Sequence, residues 1–106
     1  MNLIDIKSVA VYGGEVLGSS IKVLARVNQT PSSITVTIEA PSTDKKITAA
    51  SMTKESPNFY YYIFASTSDY EEGNYCFRVT ATDSTGSCIK EEFKRLVRPY
   101  DLRILE

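Results

Sequence analysis

The sequence predicts an all-β fold, an antiparallel sandwich of about seven strands in two sheets. Three observations lead there. Apolar and polar residues alternate with a period of two over most of the chain, as in strands that bury one face and wet the other. Clusters of Gly, Pro, Asn, Asp and Ser separate these segments at even spacing. Thr, Ser, Val, Ile and Tyr are abundant, Leu is scarce and Trp absent, and no segment holds a 3.6-residue apolar period over three turns.

The first strand spans residues 3–12. Ile4 and Ile6 share one parity and Val9 and Val11 the other, so a bulge is expected near Lys7-Ser8, because one extra residue moves every later side chain to the opposite face. A kink of this kind suits a first strand crossing between sheets. Gly13-Gly14 ends it. In the second strand Ile21, Val23, Ala25 and Val27 alternate with Lys22, Leu24, Arg26 and Asn28, and Gln29–Ser33, with Pro31, makes the turn. Ile34, Val36 and Ile38 mark a third strand, stopped at Pro41. After the loop Ser42–Lys46, Ile47–Met52 is a short, weak fourth.

Ser56-Pro57-Asn58 precedes a fifth strand, Phe59–Ser66, the most aromatic part of the chain. The rest is organised around Glu71–Gly86. There Tyr75, Phe77, Val79 and Ala81 alternate with Cys76, Arg78, Thr80 and Thr82, between turns at Gly73 and at Asp83–Gly86. The seventh strand, Ile89–Val97, is charged enough to be drawn as a helix. It follows a hairpin turn and stops at Arg98-Pro99, so it is placed as an edge strand. Residues 1–98 are therefore assigned to one domain and 99–106 to a linker or tail. An excised piece of a longer polypeptide is the preferred reading, with Leu105-Glu106 as a cloning remnant.

Charge and composition exclude several functions. The 106 residues carry a net charge of −1, so electrostatics invites neither nucleic acid nor an anionic membrane. No apolar run approaches the roughly 18 residues of a membrane helix, and no basic-then-apolar start resembles a signal peptide, so no membrane insertion by this segment is expected. Histidine is absent, which rules out a Ser-His-Asp triad, removes the usual base for a catalytic thiol and takes away most zinc sites. No Gly-x-Ser-x-Gly elbow occurs. Glu71-Glu72 and Glu91-Glu92 are neighbours in extended chain and point to opposite faces. Glu15, Asp69, Glu71 and Asp83 are oxygen donors for the ends of a sandwich, but no loop offers calcium ligands at every second position. No enzyme activity, no cofactor and no metal is expected.

Two cysteines raise the question of a disulfide. With the turn at Asp83–Gly86, Cys88 lies opposite residues 80–82, which leaves Cys76 about 14–20 Å further along. A disulfide needs Cα atoms within about 7 Å, so two free thiols are expected. Asn28-Gln29-Thr30 fits an N-glycosylation sequon, with Asn28 the candidate acceptor, although Pro31 follows directly and the segment is a turn first.

The run Tyr70-x-x-Gly73-x-Tyr75-x-Phe77-x-Val79-x-Ala81-x-Asp83-x-x-Gly86 resembles the last hairpin of prokaryotic Ig-like and PKD-like domains. Gly73-x-Tyr75 also resembles the tyrosine corner of immunoglobulin and fibronectin type III folds, in which the phenol bonds to backbone a few residues upstream. The resemblance covers residues 58–90 and rests on strand spacing before that. It implies an extracellular, non-catalytic module of a cell-surface or secreted protein, serving as a structural spacer or adhesion unit. The partners it implies are neighbouring domains of the parent chain or another surface protein. Antibody-type domains place a cysteine two residues after the tyrosine, a partner cysteine on the second strand and a tryptophan between the sheets. Here Phe77 and Val23 or Ala25 take the cysteine positions and no Trp exists, so aliphatic packing and phenyl rings must close the core.

Phe59-Tyr60-Tyr61-Tyr62-Ile63-Phe64 cannot all be hidden by a strand with one buried face. The family's usual spacing back from Gly73 puts Phe59, Tyr61, Ile63 and Ala65 inward. It turns Tyr60, Tyr62 and Phe64 outward, beside Leu24 on the second strand. Such a stripe would mark a contact surface for a partner domain or for carbohydrate. A slip of one residue would bury Tyr60, Tyr62 and Phe64 instead. The second functional reading, a carbohydrate-binding module or an accessory domain of a hydrolase, rests on the stripe, and platforms of that kind favour Trp.

Overall fold

In the computed structural model, which describes residues 3–13 and 15–98, the chain forms eight strands and no helix among those residues. They are β1 (Ile6–Gly13), β2 (Ser20–Val27), β3 (Ser33–Glu39), β4 (Lys45–Ser51), β5 (Thr53–Ser56), β6 (Phe59–Ala65), β7 (Gly73–Asp83) and β8 (Gly86–Leu96). One sheet has the order β1-β2-β6-β5 and the other β4-β3-β7-β8, with antiparallel neighbours throughout. The expected sandwich is present. The expected linker 99–106 lies outside the described residues.

Strands β2, β3 and β7 sit inside their sheets, so their period-two patterns convert directly into a core. Ile21, Val23, Ala25, Val27, Ile34, Val36, Ile38, Tyr75, Phe77, Val79 and Ala81 are all buried. Val79→Ala should cost about 2–3 kcal/mol, from lost burial and an unfilled space between the sheets. A shift in the denaturation midpoint worth less than half that would show that Val79 is not central.

The bulge expected in the first strand falls between Ile6 and Ser8, where the β1–β2 register shifts; Ile6 and Val9 are both buried as a result. It does not carry β1 across to the other sheet, since β1 pairs with β2 on both sides of it. The crossing comes later. Val16 bridges Val97 in parallel, Leu17 N–H donates to Val97 O at 2.8 Å, and Val97 N–H donates to Glu15 O at 2.8 Å.

A second crossing explains the eighth strand. β4 lies beside β3 with two register shifts, and Ala49 in it has φ of 48°. Met52 is buried, its N–H donates to Ile34 O at 3.0 Å, and the chain then joins the opposite sheet as β5. β5 turns into β6 through Pro57-Asn58, with Asn58 at φ 70°, a left-handed conformation that Asn tolerates better than most residues. Residues Thr53–Ser56 are polar and lie at a sheet edge, so no alternation announced them.

β7 and β8 form the longest ladder, with every residue paired from Gly73↔Leu96 to Asp83↔Gly86. At its tip the Asp83 carboxylate accepts from Thr85 N–H at 2.7 Å and from the Thr85 hydroxyl at 2.5 Å. Those bonds, the Thr85 hydroxyl first, hold the Asp83 carboxyl below the usual range. At the other end Gly73 has φ of 135°, and a Cβ there would meet Pro41 Cγ at 2.7 Å, so no other residue fits without displacing the β3–β4 loop.

Candidate functional site

The aromatic strand is in the opposite phase to the one expected from family spacing. Tyr60 is 8% exposed and Phe64 1%, both in the core, and Tyr62 is half-buried against it. The cause is the β2–β6 register. Tyr60, Tyr62 and Phe64 stand opposite Ala25, Val23 and Ile21, and directly opposed residues of an antiparallel pair share a face. Phe64 packs edge-on to Phe77 at 6.2 Å between centroids and stacks on Tyr70 at 6.3 Å. Counting back from Gly73 assumed a standard loop. The loop here is anchored instead by buried Ser66, whose hydroxyl donates to Ser19 O and accepts from Gly18 N–H, both at 3.0 Å.

Leu24 does lie on the outward parity. It stands opposite Tyr61, in a cross-strand row with Ala10 of β1 and Thr53 of β5. The adjacent row is Tyr12, Lys22 and Ile63, with Tyr12 54% and Ile63 47% exposed. The outward apolar residues are thus Phe59, Tyr61 and Ile63 with Leu24 and Tyr12. They do not form a bare platform. The Lys22 ammonium sits 5.2 Å from the Tyr61 ring centroid, an interaction worth about 0.5–1 kcal/mol at such a site, and Lys22 also pairs with Glu55.

Asn28 acts as a local tie. Its Oδ1 accepts from Asp5 N–H at 2.8 Å, its Nδ2 donates to Leu3 O at 2.7 Å, and its own N–H donates to Asp5 O at 3.1 Å. The nitrogen that would carry a glycan therefore already holds the first described residues against the end of β2.

Cys76 and Cys88 are free thiols. Cys88 is opposite Ala81 and Cys76 opposite Phe93, so the two are on different faces and several residues apart along the ladder, as the turn position required. Burial and a hydrogen bond to Glu91, at 3.4 Å, push the Cys76 thiol up to about 11, the reverse of what a nucleophile needs. The carboxylates have structural partners. Glu91 accepts from Arg78 Nε at 2.8 Å, and Arg78 reaches across to Glu39 of β3, tying three strands on the outer face. Glu71 accepts from Ser42 N–H at 3.0 Å and from its hydroxyl at 2.5 Å. Among the described residues no three metal-ligating side chains cluster.

A cleft of about 240 Å³ opens where β4 passes to β5, lined by Pro31, Ser33, Met52 and Tyr60 among others, and none of its lining residues is charged or a thiol. Tyr75 is fully buried and its hydroxyl donates to Glu71 O at 2.6 Å, four residues upstream, as the Gly73-x-Tyr75 motif implied.

The surface that sequence reasoning passed over is β8. It is the last strand of its sheet, and Ile89 and Phe93 are 61% and 60% exposed on its outer face. The signal was available: Ile89, Glu91 and Phe93 share a parity, and among the described residues no strand comes after β8. No protein-family model matches the chain, and no curated protein shows significant sequence similarity to it.

Proposed function

We propose that this chain is a non-catalytic immunoglobulin-like module that spaces or joins neighbouring units of a cell-surface or secreted protein. The observation that carries the reading is the path of the chain from pole to pole. Ile4 N–H donates to the Thr85 hydroxyl at the β7–β8 tip, at 2.9 Å. Arg98 Nε donates to Tyr70 O at 2.8 Å, beyond the other end of that ladder. Between the two lies the whole of β8, about 35 Å at the rise of a strand. Entry at one pole and exit at the other is what a unit in a string requires.

Two further features support it. With β4 set aside as an added edge strand, the sheets have the four-plus-three order of immunoglobulin domains, and Tyr75 makes the tyrosine-corner bond. The carbohydrate reading has less beneath it, because Tyr60 and Phe64 are core and Lys22 covers Tyr61.

Three copies joined through residues 99–106 test the proposal by small-angle scattering. The longest dimension should grow by about 35 Å or more with each copy. Copies folded back on one another, with little growth, would remove the spacer role.

A further inference from the structure

We propose that β8 pairs with β8 of a second copy of this chain, antiparallel and about a two-fold axis at Glu91, so that two β4-β3-β7-β8 sheets become one continuous sheet. This goes beyond the module reading and stands on separate observations.

The edge has unused bonding groups, and the ladder parity says which. Thr82 O accepts from Ser32 N–H, so the even residues of β7 turn toward β3 and the odd ones toward β8. In the β7–β8 register, odd residues of β7 stand opposite even residues of β8. Cys88, Lys90, Glu92 and Lys94 therefore bond to β7, while Ser87, Ile89, Glu91, Phe93 and Arg95 aim their N–H and C=O groups away from the sheet. Val97, of that same odd parity, has both groups engaged from the edge side by Glu15 and Leu17. At Phe93 the N–H donates to the neighbouring Glu92 carboxylate, at 3.2 Å. Among the described residues, 87–95 is thus a row of main-chain donors and acceptors without main-chain partners, the template for an added strand.

Charge and shape select a second copy, and one register. With the axis at Glu91, Ser87 faces Arg95 and Ile89 faces Phe93, each twice by symmetry, and all five outward-aimed residues are used. The exposed Ile89 and Phe93 then cover each other. On the inner face Lys90 of one copy faces Glu92 of the other, also twice. The two Glu91 carboxylates meet at the axis, each already held by its own Arg78 at 2.7 Å.

The neighbouring registers fail on named residues. With the axis at Glu92, Lys90 faces Lys94 and Glu92 faces itself. An axis at Lys90 sets that lysine against itself and Ile89 against Glu91. An axis at Phe93 needs Val97, whose groups Glu15 and Leu17 occupy. Inward charges on an edge strand turn away unrelated strands. Here their order, Lys90 then Glu92, complements itself.

Sedimentation equilibrium between about 10 µM and 1 mM tests the dimer. The chain should show a reversible monomer–dimer equilibrium. Lys90→Glu places Glu against Glu92 at two sites and should weaken association roughly tenfold or more. Adding Glu92→Lys to the same chain restores opposite charges and should return the affinity to within a few-fold of the original. A monomer at all concentrations, an unchanged constant for Lys90→Glu, or no recovery in the double variant would each overturn the proposal. Should Lys90→Glu fail to fold, amide exchange in the unaltered chain decides. Protection at Ile89, Glu91 and Phe93 should rise with concentration, while Lys90 and Glu92 stay protected throughout. Concentration-independent exchange at those three would discard β8 pairing, whatever else the chain binds.

Discussion

Phe64→Ala is expected to lower the free energy of unfolding by about 3–5 kcal/mol, a large part of the stability of a small domain. The ring is almost fully buried between Phe77 and Tyr70, and its removal leaves an unfilled space where the two sheets meet. Ile63→Ala, one residue away and half-exposed, should cost only about 1 kcal/mol. Chemical denaturation of the two variants side by side reads the phase of β6 directly. The reverse ranking would restore the outward placement of Phe64 and, with it, the row of Tyr60, Tyr62 and Phe64.

The second large effect concerns Tyr75, and it depends on pH. Its hydroxyl donates to Glu71 O inside the closed end of the sandwich, so Tyr75→Phe should cost about 1–2 kcal/mol near neutral pH by stranding the acceptor. Burial first, and the nearby Glu71 charge second, push the phenol up from 10.0 to about 12. In the unfolded chain the phenol loses its proton near pH 10, while in the folded chain it keeps it until about 12. The unfolded state therefore binds fewer protons in that window, and stability falls as pH rises through it. Below pH 10 the contribution is fully present. Stability measured from pH 9 to 12 should drop more steeply in the unaltered protein than in Tyr75→Phe. Parallel curves would mean that the phenol ionises in the folded state as readily as in the unfolded one.

Legibility of the fold followed the number of wet faces. β2, β3 and β7 each have one buried face and one polar one, so Ile21 to Val27, Ile34 to Ile38 and Tyr75 to Ala81 displayed their phase in the sequence. β6 did not, because residues 59–64 are all aromatic or aliphatic and carry no polar marker of parity. Its phase is set by pairing with β2 and by the Ser66 anchor, contacts between residues far apart in sequence. β5 was illegible for the opposite reason, since Thr53-Lys54-Glu55-Ser56 is polar throughout and becomes a strand only through its main-chain bonds to β6. Of the candidate contact residues, Leu24 kept its outward place. The free edge of β8 was hidden because an edge is a property of sheet order, and the order of strands is not written in any one of them.

The long β7–β8 ladder also governs when the molecule can assemble. Its pairs join residues close in the chain, and hairpins of this kind close in about 1–10 µs. The contacts that hold the interior differ, since β2 meets β6 and β3 meets β7 only across roughly forty residues of intervening chain, which slows closure to milliseconds or longer. On a ribosome adding about 5–20 residues per second, β3 waits several seconds for β7 to emerge. Phe59–Phe64 emerges part-way through that interval, with β2 and β5 ready at its sides, and Phe64 then lacks its cover from Phe77 until β7 follows. The interior is therefore closed late, once β7 has emerged, and β2 and β3 are the strands that wait longest for their partners.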